Sequence, residues 1–191
     1  MITELTVPAD PDWPAKVRDR AYHIVSTYES CTQGIVAAFM EEFGIEDPLV
    51  LRAAGGMHAG MVSSMTCGIV SAGIMVLGLL MGRENIEEGL DGIFPIVVPG
   101  QDLVARLEKR LGSTSCREIS GVDFRDLKQA MEFMSSGESA KCFDHVANGA
   151  GRSRGSCRSS ARRGSCSAPA NPSRVSPRTA GSTISEMGYP P

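Results

Sequence analysis

The residues of this chain best able to do chemistry are its cysteines. Six occur, at positions 31, 67, 116, 142, 157 and 166. A thiolate is a nucleophile and a metal ligand, and two thiols together can deliver two electrons by closing a disulfide. Cys31, Cys67, Cys116 and Cys142 follow one another at intervals of 36, 49 and 26 residues. There is no C-x-x-C pair, zinc knuckle or C-x-x-C-H haem attachment, so any joint chemistry requires the fold to gather them. Cys31, Cys67 and Cys116 open segments of helical character, and Cys142 lies in another. Unpaired N–H groups and the partial positive charge of a helix start favour thiolate over thiol. A single buried cysteine is most simply a small hydrophobe. Four in one body, three at helix starts, point to a shared function.

Other candidate donors stand nearby. Met57, Met61 and Met65 recur every four residues beside Cys67 and offer soft thioether ligands for copper. A methionine-lined core stripe is the simpler interpretation. His58 is a candidate ligand or proton carrier, with an exposed loop histidine as the ordinary alternative. His145 lies three residues after Cys142, on the same helical face, and admits the same two interpretations, ligand or surface histidine. Gly55, Gly56 and Gly60 make no phosphate loop, since no Gly-Lys-Ser/Thr follows, and no G-x-S-x-G elbow is present. Glu41-Glu42 and Glu87-Glu88 read as solvated faces.

The elements that must position these groups read as helices. The chain is 42% hydrophobic but only 5% aromatic, so its core rests on Ala, Val, Ile, Leu and Met, a composition suited to helix packing. Asp12 caps a helix reaching about Tyr28, with Val17, Ala21, Ile24 and Val25 on one face. Ser30 caps a second, stopped by Gly44. Asp47-Pro48 starts a short third helix to about Ala54. Residues 67–82 form a fourth, apolar all round and therefore expected to be central and buried. Residues 83–100, with Pro95 and Pro99, read as a connection, Ile93–Val98 being a weak strand candidate spoiled by Pro95. A charged helix follows over 101–111. Cys116 sits in a short helical turn, Asp123 caps a helix to about Met134, and a last helix from about Glu138 holds Cys142. The fold expected is all-α: a small bundle around the helix at 67–82, spanning residues 1–148.

From residue 149 the composition changes to Gly, Ser, Arg and Pro. Residues 1–150 hold 12 Lys and Arg against 21 Asp and Glu, a net of −9, while residues 151–191 hold seven arginines and one glutamate, a net of +6. Such a tail buries too little to offset its ordering entropy and is expected to be disordered. It reads either as a natural basic tail or as aberrant, out-of-frame translation, because the change interrupts an amphipathic pattern without a cap. The acidic body argues against nucleic acid as its partner. No secretory signal opens the chain. The longest apolar run, residues 68–82, falls short of the roughly 20 residues of a membrane span. A cytoplasmic location is expected, where stable disulfides are uncommon.

Four segments together carry a resemblance. Thr66-Cys67-Gly68-Ile69-Val70-Ser71-Ala72-Gly73 resembles the C-G-A-x-x-G hallmark of the four-cysteine C_GCAxxG_C_C family. Ser30-Cys31-Thr32-Gln33, Gly112–Glu118 around Cys116, and Lys141-Cys142 are similar to its other cysteine segments, in the same order, over about residues 16–148. Ile69 stands where the motif has alanine, and Ala72 where it has glycine, although Gly73 follows. The resemblance implies a small helical domain with a redox role for Cys31, Cys67, Cys116 and Cys142, and a redox partner or transport system as associate. The cysteines would converge at one end of the bundle, either ligating an iron–sulfur cluster or cycling between dithiol and disulfide. Two other functions stay open: a zinc- or copper-binding module without turnover, and a helical interaction domain with structural cysteines.

Overall fold

A computed structural model of the chain describes residues 8–148. The chain divides into two units, Met1–Ser153 and Arg154–Pro191. All described residues belong to the first, and the tail expected at 149–191 lies outside them. Among the described residues there are eight α-helices and no strand: α1 (Trp13–Tyr28), α2 (Cys31–Phe43), α3 (Pro48–Gly55), α4 (Gly68–Met81), α5 (Phe94–Leu111), α6 (Cys116–Ser120), α7 (Leu127–Ser135) and α8 (Ala140–Asn148).

Local chemistry accounts for most boundaries. Gly44 ends α2 in the left-handed region at φ 66°, where a Cβ is disfavoured. The Asp47 carboxylate accepts a hydrogen bond from the Leu49 amide, and Pro48 occupies the first turn of α3, where its missing N–H costs nothing. α1 and α2 pack as a hairpin, with α8 against α1 and α4 against α2. The core is aliphatic: Val17, Ala21, Val25, Val36, Ala38, Ile69, Val70, Ala72 and Leu107 are all buried. Trp13 closes one end, edge-on to Phe39 and Phe43.

Three expectations need correction. The stretch 83–100 is not wholly a connection, because α5 begins at Phe94. Pro95 lies in the first turn, where no intrahelical N–H is needed, and Pro99 sits inside the helix. The supposed strand at Ile93–Val98 is thus the start of a helix. Asp123 does not cap α7; Asp126 does, accepting from the Lys128 and Gln129 amides at 2.9 and 3.2 Å. Asp123 is instead engaged by Arg125 and Arg117. Finally, α4 is buried only over its first part, at Gly68, Ile69, Val70, Ala72 and Val76. Its last residues are partly open, Met81 being 37% exposed.

Gly78 lies in that second part of α4, and a Cβ added there would meet only Ile96 Cδ1, at 3.9 Å, an ordinary contact. Replacing a helical glycine by alanine without a clash removes backbone freedom from the unfolded chain. Gly78→Ala should therefore stabilise the protein by ~0.5–1 kcal/mol, measured as a raised urea midpoint. A lowered midpoint would mean that this face is more closely packed than described.

Candidate functional site

Cys31 is the first residue of α2, Cys67 the cap of α4, Cys116 the first residue of α6, and Cys142 lies in the first turn of α8. Two devices bring these segments together. The hydroxyl of Thr32, fully buried, donates to the Gly68 carbonyl at 3.4 Å, joining the residue after Cys31 to the residue after Cys67. An isolated antiparallel bridge pairs Thr66 with Ser115. In it the Cys67 amide donates to the Thr114 carbonyl at 2.8 Å and the Cys116 amide to the Met65 carbonyl at 2.6 Å. Cys67 and Cys116 are therefore held side by side by backbone alone.

All four cysteines line one small cavity of about 50 Å³, together with His58, Ser120, Phe124, Phe133, Ser139 and His145. One water needs roughly 10–15 Å³ of such space, so the chamber takes a few solvent molecules rather than a substrate. None of the four is in a disulfide; Cys67 and Cys116 are buried, Cys31 and Cys142 half-buried. Packing around Cys31 is tight. A Cβ at Gly68 would lie 2.2 Å from Cys31 Sγ, and only glycine lets α4 approach α2 this closely.

The thiols differ in acidity. Burial pushes Cys31 up, but the hydrogen bond and charge of His58, the Ala59 amide and the Thr32 hydroxyl outweigh it and leave the group below the ordinary thiol value. Its Sγ lies 3.9 Å from His58 Nδ1. The hydrogen bond to Cys31 in turn lifts His58 above the usual imidazole value, against the effect of burial and with help from the charges of Cys31 and Glu29. The two shifts agree: this is a thiolate–imidazolium pair in the making. Burial raises the other three. Cys67 goes up despite the Ile69 and Val70 amides at the start of α4. Cys116 is pushed up to about 12 by burial and by the charges of the neighbouring cysteines, and Cys142 to about 11 for the same reasons. A helix start thus does not by itself make an acidic thiol here; desolvation exceeds the helix-end field, and only the cysteine with an imidazole partner escapes it.

His58 owes its place to an unusual backbone. Ala59, Gly60, Met61, Val62 and Ser64 all have φ between 49° and 66°, a left-handed excursion that is strained for every residue except glycine and most of all for β-branched Val62. Tertiary contacts hold it. Ser64 Oγ donates to the Val122 carbonyl at 3.3 Å and accepts from the Phe124 amide at 2.6 Å. Gly60 lies against Cys116, where a Cβ would come within 2.6 Å of the cysteine's own Cβ. Two expectations fail on this segment. His58 is not an exposed loop histidine but half-buried against Cys31. The methionines form no core stripe: Met61 is 38% and Met65 61% exposed, since a left-handed turn has no i, i+4 face. His145 is no free surface residue either; it is half-buried in the cavity wall, its pKa lowered by burial and by the charge of Arg110. Gly73 of α4 packs on Leu103 of α5.

Thiols and imidazoles suit zinc, copper or an iron–sulfur cluster in chemical type. Their arrangement does not: among the described residues no group of three or more His, Cys, Asp or Glu is placed to hold a metal ion. No described helix is long and apolar enough to cross a membrane.

The family model described as Putative redox-active protein (C_GCAxxG_C_C) matches residues 29–156, a span that includes all four cysteines and His58. No curated protein and no solved structure matches the chain.

Proposed function

Because the chain belongs to the C_GCAxxG_C_C family, we propose that it works as a dithiol–disulfide centre with Cys31 as the attacking thiolate. One observation carries this choice over a cluster or metal site: of the four thiols lining the chamber, Cys31 alone is made more acidic, and it is the one with an imidazole 3.9 Å away. Thiol–disulfide exchange needs this asymmetry, an ionised attacker beside neutral thiols that enter later. A cluster would need all four sulfurs arranged around a common centre, which the donor arrangement among the described residues does not favour.

The steps balance as follows. Cys31 thiolate attacks one sulfur of a substrate disulfide; a Cys31–substrate disulfide forms and the other substrate sulfur leaves as a thiolate. Cys31 has then lost its charge, so the His58 imidazolium no longer gains from it, gives its proton to the leaving substrate thiolate and, now neutral, can take the proton of Cys67 for the second substrate sulfur. Cys67, adjacent to Gly68 on which Cys31 Sγ rests, gives up its proton and attacks Cys31 sulfur. A Cys31–Cys67 disulfide closes and the second substrate thiol is released. Two electrons have passed from the cysteines to the substrate, and an external dithiol must restore them. In a reducing cytosol the resting state is the dithiol.

The test is the pH dependence of Cys31 alkylation by iodoacetamide, followed by peptide mass spectrometry on the full chain. The thiolate is the reacting form, so the wild-type midpoint should lie below that of a free thiol, about 8.5. His58→Asn removes the group that favours the charged sulfur, leaving burial unopposed by it. The midpoint should then move to higher pH and the rate at pH 7 fall severalfold. An unchanged midpoint in the variant would leave Cys31 without an activating partner and end the proposal.

A further inference from the structure

Beside the thiol chamber runs an open groove of about 520 Å³, lined by His58, Ala59, Val62, Phe124, Ala130, Met131, Met134 and Ser135. Its size falls within the roughly 300–1,000 Å³ of ligand sites. His58, Ala59, Phe124 and Met134 line both spaces, so the groove is the approach to Cys31 rather than a separate feature. One wall is the strained turn, where Val62 is 63% exposed; the other is α7, where Met131 is 65% exposed, while Leu127, one helical turn earlier and 72% exposed, lies outside the groove lining. Large side chains left open on both walls of one groove mark a surface meant to be covered, and methionine adapts to occupants of varied shape.

The charge pattern narrows the occupant. Among the described residues, no lysine or arginine lines the groove or the chamber. A carboxylate, Glu29, raises the His58 pKa and lines the chamber itself. An anionic disulfide such as glutathione disulfide would bring four carboxylates to a described groove lining whose one imidazole, His58, is already engaged by Cys31. From this we infer that the substrate is a disulfide carried by an apolar polypeptide segment, seated between Val62 and Met131 with its sulfurs turned toward Cys31 past His58. The inference rests on the dithiol reading above and adds the substrate class. The covalent steps are those already given: the segment's disulfide takes two electrons and two protons and leaves as two thiols, and an external dithiol regenerates the protein.

The experiment uses the full chain with Cys157 and Cys166 replaced by Ser, reduced, with dithiothreitol as regenerating dithiol. Second-order rates are measured for two probes, the symmetric disulfide of a capped, uncharged Leu-Cys-Val tripeptide and glutathione disulfide. The expected result is a preference of about tenfold or more for the apolar probe, the scale of one well-placed apolar contact. Met131→Glu should cut that preference by about tenfold, whereas Ile86→Glu, at a position 74% exposed and outside both spaces, should leave both rates unchanged. Equal rates for the two probes, or a preference untouched by Met131→Glu and Leu127→Glu alike, would overturn the substrate class while leaving the dithiol centre standing. If neither probe exchanges and Cys31 alkylates no faster than an ordinary thiol, the dithiol reading itself falls, and the substrate with it.

Discussion

Cys31→Ser will remove the fast phase of thiol reactivity entirely. In a full-length chain whose Cys157 and Cys166 are also Ser, three thiols remain, and all three are raised above the ordinary value. At pH 7 a group at about 11, such as Cys142, is ionised in about one part in 10⁴, and Cys116, at about 12, in about one part in 10⁵. The reaction of the protein with iodoacetamide at pH 7 should therefore lose its fast phase and leave only slow alkylation, and exchange with disulfide probes should stop. Cys142→Ser should leave the fast phase in place, because Cys142 neither donates to Cys31 nor supplies the thiolate. The sign with pH follows from the same shifts: in the parent chain with Cys157 and Cys166 as Ser, reactivity rises early, with Cys31, and rises again at higher pH, when the buried thiols ionise. Burst-phase alkylation that survives Cys31→Ser would place the reactive sulfur elsewhere.

Gly68→Ala should be strongly damaging for a single added methyl group. The added Cβ would lie 2.2 Å from Cys31 Sγ, 2.7 Å from Thr32 Oγ1 and 3.3 Å from Cys31 Cβ. These belong to short side chains at a helix start, one of them fully buried, so they cannot swing aside as a long side chain would. Overpacking of this kind costs ~1–3 kcal/mol, and loss of the Thr32–Gly68 hydrogen bond adds about 1 kcal/mol. A loss of ~3 kcal/mol in urea unfolding is expected. Gly73→Ala is the control: its Cβ meets the end of Leu103 at 2.8 Å, a flexible group that can move, and the expected loss is below ~1 kcal/mol. If Gly68→Ala is tolerated because Cys31 rotates out of its position, the slow alkylation of Cys31 will report it. Wild-type stability together with wild-type reactivity would mean that α2 and α4 do not meet this closely.

Much of the bundle can be read from residues alone, and the exceptions are instructive. α2 stops at Gly44 and α3 starts at its Asp47 cap as read, because capping is a contest among neighbouring backbone groups that sequence displays directly. The α5 start does not, because proline is a breaker inside a helix yet harmless in its first turn; Pro95 alone cannot say which position it holds. α7 begins at Asp126 rather than Asp123 since Arg117 and Arg125 hold the Asp123 carboxylate, a competition that only the folded chain sets up. His58 is 27 residues from Cys31, and it reaches the sulfur only through a left-handed turn that no sequence period encodes.

The chain's own residue order determined the helices, their main stops and the four cysteines with soft donor chemistry, because propensity, capping and period act over a few residues. Which cysteine is acidic was decided by the tertiary structure. Three sulfurs start helices in much the same local setting, and their protonation separates only when depth in the core and the nearness of His58 are fixed. Desolvation and Coulomb interaction depend on what surrounds a charge in space, and that surrounding is assembled from α2, α4, α6, α8 and the turn at 59–64 only when the chain folds.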